Sequence, residues 1–423
     1  MTGMHQGNSR LCAWRILRRW SPDGLYAEEL VDRAAEQEGL SGPNRALLNA
    51  LVLAVLRNRT LLDAWIMHLR DGGSLEDDVR EWLRLGLAQL FLLGMPEHAA
   101  VNETVALAGR ARGLVNAILR RALRERDALQ ELRRTAPPHV RHSMPEWLIA
   151  DWIKRLGAEA AEALGEWCNS PAPVYVRVNE LHKHAASAVA GLPGVEAYTG
   201  PVTGWYSVTD VPRRELTAGL CYAQDPSTGI APLILKARPG MNVLDACAAP
   251  GGKTAILAQD MENAGIIIAT DSSAKRLERL RDNMSRLGAV IVECQVHDWI
   301  NMPEPASWRT RFPEGFDRIL LDVPCSNTGV LRRRVDARWR LTPEFFASVT
   351  ALQHALLMRM LGLLKVGGRL AYSTCSMEPQ ENINLVRAVL KEAPGWQLLE
   401  DKLILPHRDG VDGAYAALIE RIA

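Results

Sequence analysis

Two stretches, "LLDVPCSNTGV" from Leu320 to Val330 and "AYSTCSMEP" from Ala371 to Pro379, each carry an apolar run to its end at a thiol, Cys325 and Cys375. A cysteine at the end of a buried strand ordinarily serves as a small hydrophobe. Two of them at the carboxyl ends of successive core strands, after Pro324 and after Thr374, point instead into one ligand crevice. A free thiol of pKa about 8.5 is a few per cent thiolate at neutral pH and already a strong nucleophile. Cations raise that fraction, and Arg332 to Arg334 are candidates for them.

The chemistry open to such a pair is addition to an electron-poor ring. Carbon 5 of a pyrimidine is too weak a nucleophile to take a methyl group directly. Thiolate addition at carbon 6 makes an enamine that can attack a methyl sulfonium at carbon 5, after which the carbon 5 proton must leave and the thiol be expelled. This needs a nucleophile, a second group to assist release, and a carboxylic acid to hold the ring's N3 and amino edge. Cys375, Cys325 and Asp322 supply those three residue types, and spacing alone does not say which thiol attacks.

Upstream, "VLDACAAPGGKT" places an acid at a strand end, then small residues, a Pro-Gly-Gly turn and a helix start at about Lys253. Small residues let a ligand approach the backbone, and a helix N-terminus offers unpaired N–H groups, so this reads as a nucleotide-type pocket. It is not a P-loop, which requires glycine where Cys247 stands, and it lacks the G-x-G-x-x-G dinucleotide fingerprint. Asp271 ends the next strand about 20 residues on, where a carboxylate accepts from ribose hydroxyls. Asp298 and Asp322 end the third and fourth strands, so four strands finish with an acid on one sheet edge. For Asp298 a simple capping role is an equal alternative.

The elements that must position these groups are strands alternating with helices, which argues for a parallel sheet with crossover helices. The strands are "MNVLDAC", "GIIIATD", "AVIVECQVHD", "FDRILLDVPC", "GRLAYSTC" and "AYAALIER", with helices at about 252 to 260, 272 to 287, 343 to 364 and 378 to 391. From about Asn8 to Leu132 apolar residues recur at helical spacing instead, as in "NRALLNALVLAVLRNRTLLDAWI", with Ser41-Gly42-Pro43-Asn44 as a stop and a fresh cap. "RTAPPHVRHSMPEW" reads as a proline-bearing linker. Between 144 and 225 a helix at "EWLIADWIKRLG" is followed by the short β-rich runs "VYVRVN" and "GWYSV", which suggests a small α+β module.

Composition is that of a folded multidomain chain: 423 residues, 48% hydrophobic, 23% charged, formal net charge +1. The longest apolar run, Ala46 to Leu56, is short of the roughly 20 residues a bilayer span needs. Four arginines among the first twenty residues interrupt any secretory segment, so a cytoplasmic location and no membrane partner are expected. Seven cysteines without a C-x-x-C pair argue against disulfides and against a metal site. Affinity for a polyanion must come from local clusters: Gly109 to Arg126 holds six arginines and one acid, and Gly329 to Leu341 five and one.

Taken together, "LDACAAPGGKT", "LLDVPCSNTGV" and "AYSTCSMEPQEN" resemble the motifs of the S-adenosylmethionine-dependent RNA cytosine-C5 methyltransferases, the NOL/NOP/Sun family. The resemblance implies that Cys375, in the Thr-Cys motif, is the attacking thiol and that Cys325, in the Pro-Cys motif, assists product release. It implies further that Cys247, Ala248, Ala249, Pro250, Gly251, Gly252 and Lys253 wrap the cofactor, that Asp271 binds its ribose, that Asp298 lies by the adenine, and that Asp322 faces both methyl donor and target base. "MPEWLIADWIKRLG…PVYVRVN" is similar to the family's ferredoxin-like RNA-binding module, and "AVNETVALAG…GLVNAILRRAL" resembles the helical domain of the antitermination factor NusB.

The expected architecture is therefore an all-α NusB-like domain (1–136), a small α+β ferredoxin-like module (144–225) and a C-terminal α/β Rossmann-like methyltransferase domain (226–423). The expected reaction is methylation of a cytosine in 16S rRNA by a monomer, on naked RNA or an early small-subunit particle, with S-adenosylmethionine as cofactor and the arginine clusters on phosphates. A tRNA or 23S rRNA substrate, or a non-catalytic RNA-binding or antitermination factor, are the competing readings. Two departures from the family pattern stand out. Val335 replaces a proline in Arg332-Arg333-Arg334-Val335-Asp336, and Asp412-Gly413-Ala414-Tyr415 replaces Asp-Gly-Phe-Phe, which bears on loop stiffness and RNA fit.

Overall fold

The computed structural model describes residues 7–70 and 74–423, in two compact units. Residues up to Ser170, together with Leu331–Leu341, form the first; Pro171–Val330 and Thr342–Ala423 form the second.

The first unit is helical. Its longest helix, Gly42–Arg57, starts where Ser41 turns extended and Pro43 takes a first-turn position that needs no N–H donor. Leu48, Leu51, Val52 and Leu56 of this helix, Leu61, Leu62 and Trp65 of Arg59–Arg70, and Leu119 of Arg112–Arg124 are fully buried in one core. The stretch read as a linker is instead part of this unit. Pro138 opens a single helical turn, Pro138–Arg141, and His142, Ser143 and Met144 are buried, with Ser143 Oγ accepting from Leu61 N at 3.0 Å. Proline there marks the start of a helical turn and not a free segment. The helix Glu146–Leu156 also packs in this unit.

The Leu331–Leu341 segment enters the same core. Val335 is fully buried among the helical-domain residues, and Asp336 Oδ2 accepts from Ala27 N at 2.8 Å. Arg338, also fully buried, donates to the carbonyls of Arg57, His142, Val335 and Cys168 at 3.0 to 3.2 Å and to Asn169 Oδ1 at 2.8 Å. Arg340 donates to the carbonyls of Gly24 and Leu25. This arginine cluster was expected to face phosphate; Arg332, Arg338 and Arg340 are instead used inside the fold, and the valine that replaces the family's proline is a core side chain.

The second unit holds two sheets. The smaller is antiparallel, with β1 (Val174–Val178), β2 (Val195–Ala197), β3 (Trp205–Val208) and β4 (Cys221–Ala223) in the order β2-β3-β1-β4. It docks through polar groups: buried Arg177 of β1 donates to Gln259 Oε1 at 2.8 Å, and Asn179 Nδ2 to the Leu287 carbonyl at 2.9 Å. Burial pushes the Arg177 guanidinium down to about 10.

The larger sheet has seven strands, β5 (Asn242–Asp245), β6 (Ile266–Asp271), β7 (Val292–Val296), β8 (Phe316–Asp322), β9 (Leu364–Thr374), β10 (Trp396–Ile404) and β11 (Ala414–Arg421). Their order is β10-β11-β9-β8-β5-β6-β7. The five from β9 to β7 are parallel, while β11 and β10 pair antiparallel. Chain order reverses between β5 and β8, and that switch point is where sheets of this kind form a ligand crevice. The fully buried Leu244, Ile268, Ile319, Leu320, Leu321, Leu370 and Ala371 are consistent with central parallel strands covered on both faces. Strand β10, "WQLLEDKLI", was not expected from the sequence. It lies at the sheet edge and alternates half-buried with exposed residues, which weakens the apolar signal. Among the described residues no helix is long and apolar enough to cross a membrane.

Candidate active site

The carboxyl ends of β5, β6, β8 and β9 bring most of the expected residues to one edge. Asp245, buried at the end of β5, accepts from Thr254 Oγ at 2.7 Å. Its Oδ1 has no partner, and burial pushes this carboxyl up to about 7. The following turn needs small residues. Gly251 has a φ of +104°, and a Cβ there would meet Met284 Cε at 2.9 Å. Gly252 then opens the helix Gly252–Asp260, while Ala248 and Ala249 are buried and Pro250 is exposed. Burial, reinforced by the nearby Asp245, Asp322 and Asp271, pushes the Cys247 thiol up, so it stays protonated.

At the end of β6, Asp271 is buried and accepts from Ser273 N at 2.9 Å. Its other oxygen pairs with Arg276 at 3.2 Å, and Arg276 also donates to the Ala249 carbonyl. These bonds fix the acid against the turn, and each carboxylate oxygen keeps a lone pair for a hydroxyl donor. Asp298 follows β7 and accepts from the backbone N–H groups of Ile300 and Asn301 and from Asn301 Nδ2 at 2.9 to 3.2 Å. Those bonds, led by Asn301, hold its carboxyl below the usual range. The acid thus closes a turn, and no helix starts there for it to cap.

Across the switch point, Lys253 Nζ lies 2.7 Å from Asp322 Oδ2. Burial disfavours the ammonium, but the charge of Asp322, its hydrogen bond and the proximity of Cys375 outweigh this and hold the lysine protonated. Cys325 Sγ and Cys375 Sγ are 3.0 Å apart. The contact with Cys375, then burial, pushes the Cys325 thiol well up; Cys375 is the more exposed of the two and donates to Asn327 Oδ1 at 3.2 Å. Asn327 is held by its own amide, which donates to the Cys325 carbonyl at 2.9 Å.

Of the arginines expected as cations, Arg332 has its guanidinium 4.0 Å from the centroid of the Trp167 ring and Arg334 has its own 5.6 Å from that of Tyr26. Lys253, expected only as a cofactor residue, lies near enough to Cys375 for that group to help hold its ammonium.

Sequence reasoning also passed over the residues that hold the two thiol loops together. Ser326 Oγ and Ser376 Oγ are 3.0 Å apart, Thr328 Oγ accepts from Met377 N at 2.9 Å, and Glu381 accepts from both serines. Gly329 N donates to the Cys375 carbonyl, and Gly413 N to the Gly329 carbonyl at 2.8 Å. A Cβ on Gly329 would meet Gly413 O at 2.3 Å, so the Asp412-Gly413 turn packs directly on the Cys325 loop. Ala414 and Tyr415, the altered pair of that motif, are buried strand residues of β11. The available signal was the repeated Cys-Ser, in "PCS" and "TCS", followed by Glu381.

The residues present fit S-adenosylmethionine. The orphaned Oδ1 of Asp245, the glycine turn at a helix start and the fixed Asp271 offer acceptors and N–H donors at one sheet edge.

Comparison with known proteins gives three family matches. A model described as 16S rRNA methyltransferase RsmB/F matches residues 232–420, a NusB family model matches 7–124, and a ferredoxin-like domain model of RsmF/B-like methyltransferases matches 144–202. A Pseudomonas putida protein named Ribosomal RNA small subunit methyltransferase B is 34% identical over 92% of this chain and 93% of its own. A Bacillus subtilis protein, named as the probable enzyme of that type, is 30% identical over 97% of this chain and 98% of its own. Among solved structures, PH0851 superposes with a TM-score of 0.75 at 23% identity over 98% of both chains, a likeness of fold. A methyltransferase homolog from Pyrococcus horikoshii gives a TM-score of 0.57 at 28% identity over 67% of this chain and 98% of that one.

Proposed function

Because the chain belongs to the 16S rRNA methyltransferase RsmB/F family, we propose that it methylates carbon 5 of a cytosine in 16S rRNA through a covalent adduct of Cys375 at carbon 6. The observation that carries this reading is the 3.0 Å Cys325–Cys375 pair in the domain whose Lys253 is ion-paired with Asp322. S-adenosylmethionine, when bound, supplies an electrophilic methyl group on a sulfonium. Asp271 and the Cys247–Lys253 turn would hold it, with Asp298 at its adenine end.

The target base has to be unpaired or turned out of its helix to reach the crevice. Cys375, the more exposed thiol, adds to carbon 6 as thiolate. Asp322, held by its 2.7 Å contact with Lys253, positions the N3 and amino edge of the ring while addition at carbon 6 makes carbon 5 nucleophilic. Once carbon 5 carries the methyl group its proton must leave and the carbon–sulfur bond break. Cys325 keeps its proton in the resting site because Cys375 and burial oppose its ionisation. Once Cys375 is bound as a thioether it no longer opposes that ionisation; Cys325 then gives its proton to solvent and, as thiolate, takes the carbon 5 proton while the carbon–sulfur bond breaks and returns Cys375 as thiolate.

The exposed arginines 110, 112, 120 and 124 are suited to phosphate. The decisive experiment is bisulfite sequencing of rRNA and tRNA from a deletion strain, alongside transfer of tritium from labelled S-adenosylmethionine to RNA by the purified chain. Loss of one 5-methylcytosine in 16S rRNA is expected. Loss confined to tRNA or 23S rRNA would move the substrate, and no transfer to any RNA would replace the enzyme with a binding factor.

A further inference from the structure

We propose that Glu381, which touches neither thiol, is a positioning residue that locks the two cysteine loops into their working register. This rests on the two-thiol reaction proposed above. Glu381 is fully buried near the start of the helix Ile383–Glu392. One carboxyl oxygen accepts from Ser326 N at 2.8 Å and from Gln353 Nε2 at 3.0 Å. The other accepts from Ser376 Oγ at 2.5 Å and from Ser326 Oγ. Ser326 follows Cys325 and Ser376 follows Cys375, so one side chain grips the residue after each thiol.

The neighbouring bonds make the grip stiff. Gln353 Nε2 also donates to the Pro324 carbonyl at 2.8 Å, which holds the residue before Cys325 as well. Asn382 accepts from Thr374 Oγ at 2.6 Å and donates to the Ser376 carbonyl at 2.9 Å, bracketing Cys375 from both sides. Tyr372 Oη donates to the Glu381 carbonyl at 2.7 Å, tying the helix start to β9. A buried carboxyl is costly unless donors surround it, and here both oxygens are supplied by groups belonging to the thiol loops or their support. A substitution by an apolar side chain would leave Ser326 N without its acceptor and Gln353 Nε2 with only the Pro324 carbonyl. Glutamine, the isostere, would turn an N–H₂ group toward those donors or toward the serine hydroxyls.

The test uses the full chain carrying Glu381→Gln, with Ser326→Ala as a second variant that removes one arm of the grip and leaves its N–H. Three quantities are read. Single-turnover methylation of 16S rRNA should fall about 100-fold in Glu381→Gln, as expected when a reacting group is misplaced by about an ångström. Affinity for S-adenosylmethionine should stay within about twofold, because the grip lies outside the turn that holds it. Iodoacetamide labelling of Cys325 should accelerate about tenfold as its loop opens locally, while the buried Cys12, Cys168 and Cys221 label at wild-type rates. Ser326→Ala should move the same quantities in the same direction by less.

Wild-type turnover and wild-type Cys325 labelling in Glu381→Gln would overturn the assignment. So would acceleration of every cysteine together, which would mark a general loss of fold. If Glu381→Gln does not fold, an unchanged Ser326→Ala overturns it. Failure of the wild-type chain to make 5-methylcytosine would sink the proposed reaction instead, and the labelling pattern, which needs no RNA, would still read the grip.

Discussion

Cys325 Sγ lies 3.0 Å from Cys375 Sγ although fifty residues separate them. The cause is register: β8 and β9 pair in parallel, with Asp322 opposite Ser373, so each strand releases its cysteine loop at the same level of the sheet edge. Two thiols this close cannot both ionise readily, and the more enclosed one keeps its proton. That difference in environment underlies an asymmetric mutant pair. Cys375→Ser should abolish transfer of tritium from labelled S-adenosylmethionine to RNA. Cys325→Ser should bind cofactor normally and accumulate a covalent protein–RNA adduct, visible as a slow band on denaturing gels. An adduct from the Cys375 variant would exchange the two roles.

Asp322 and Lys253 form one ion pair across the switch point. Asp322→Asn keeps the shape but removes the carboxylate proposed to meet the ring edge, and the turnover rate should drop by about 10² to 10⁴, the range typical of a positioned acid or base. Lys253→Met should slow iodoacetamide labelling of Cys375 at pH 7, since it removes a cation that lies near that sulfur and nearby cations favour thiolate attack. Unchanged labelling would detach Lys253 from the nucleophile.

The Asp245 carboxyl is raised to about 7 by burial, which fixes the sign of its effect on stability. Between its ordinary value and 7 the folded chain binds the proton and the unfolded chain does not, so stability falls as pH rises through that window. The loss is complete above about 7 and amounts to at most about 4 kcal/mol. Asp245→Asn does not titrate. The melting temperature of the variant relative to wild type should therefore climb from pH 5 to pH 8, and a gap independent of pH would contradict the assigned direction.

The two arginine clusters should behave differently. Arg110, Arg112, Arg120 and Arg124 are exposed, and changing all four to glutamine should leave folding intact. For single-stranded RNA the slope of log affinity against log salt should shrink by about 3 if each makes a phosphate contact. Arg338→Ala should act on stability instead, because it strips a donor from several buried carbonyls, at a cost on the order of 3 kcal/mol or more. Faster hydrogen exchange across Leu331–Leu341 would report it, and Arg338→Lys should not restore protection, since an ammonium cannot span those acceptors.

Much of this was legible in the chain itself. Apolar runs ending in Asp245, Asp271 and Asp322, the Pro-Gly-Gly turn and the repeated Cys-Ser are local patterns, and a parallel sheet places strand ends on one edge whatever the rest of the fold does. Helical periodicity likewise marked the N-terminal unit. What only the tertiary structure decided were the non-local partnerships. Nothing in the spacing of Arg332 to Arg340 distinguishes arginines used on phosphate from arginines that cap carbonyls inside a helical core, because both need the same cation. Packing made that choice, as it did in leaving Cys325 protonated against Cys375 and in bringing Glu381 to two serines fifty-five and five residues away. Local pattern is set by the covalent chain, whereas a buried polar group is defined by whichever distant donors the packed fold delivers to it.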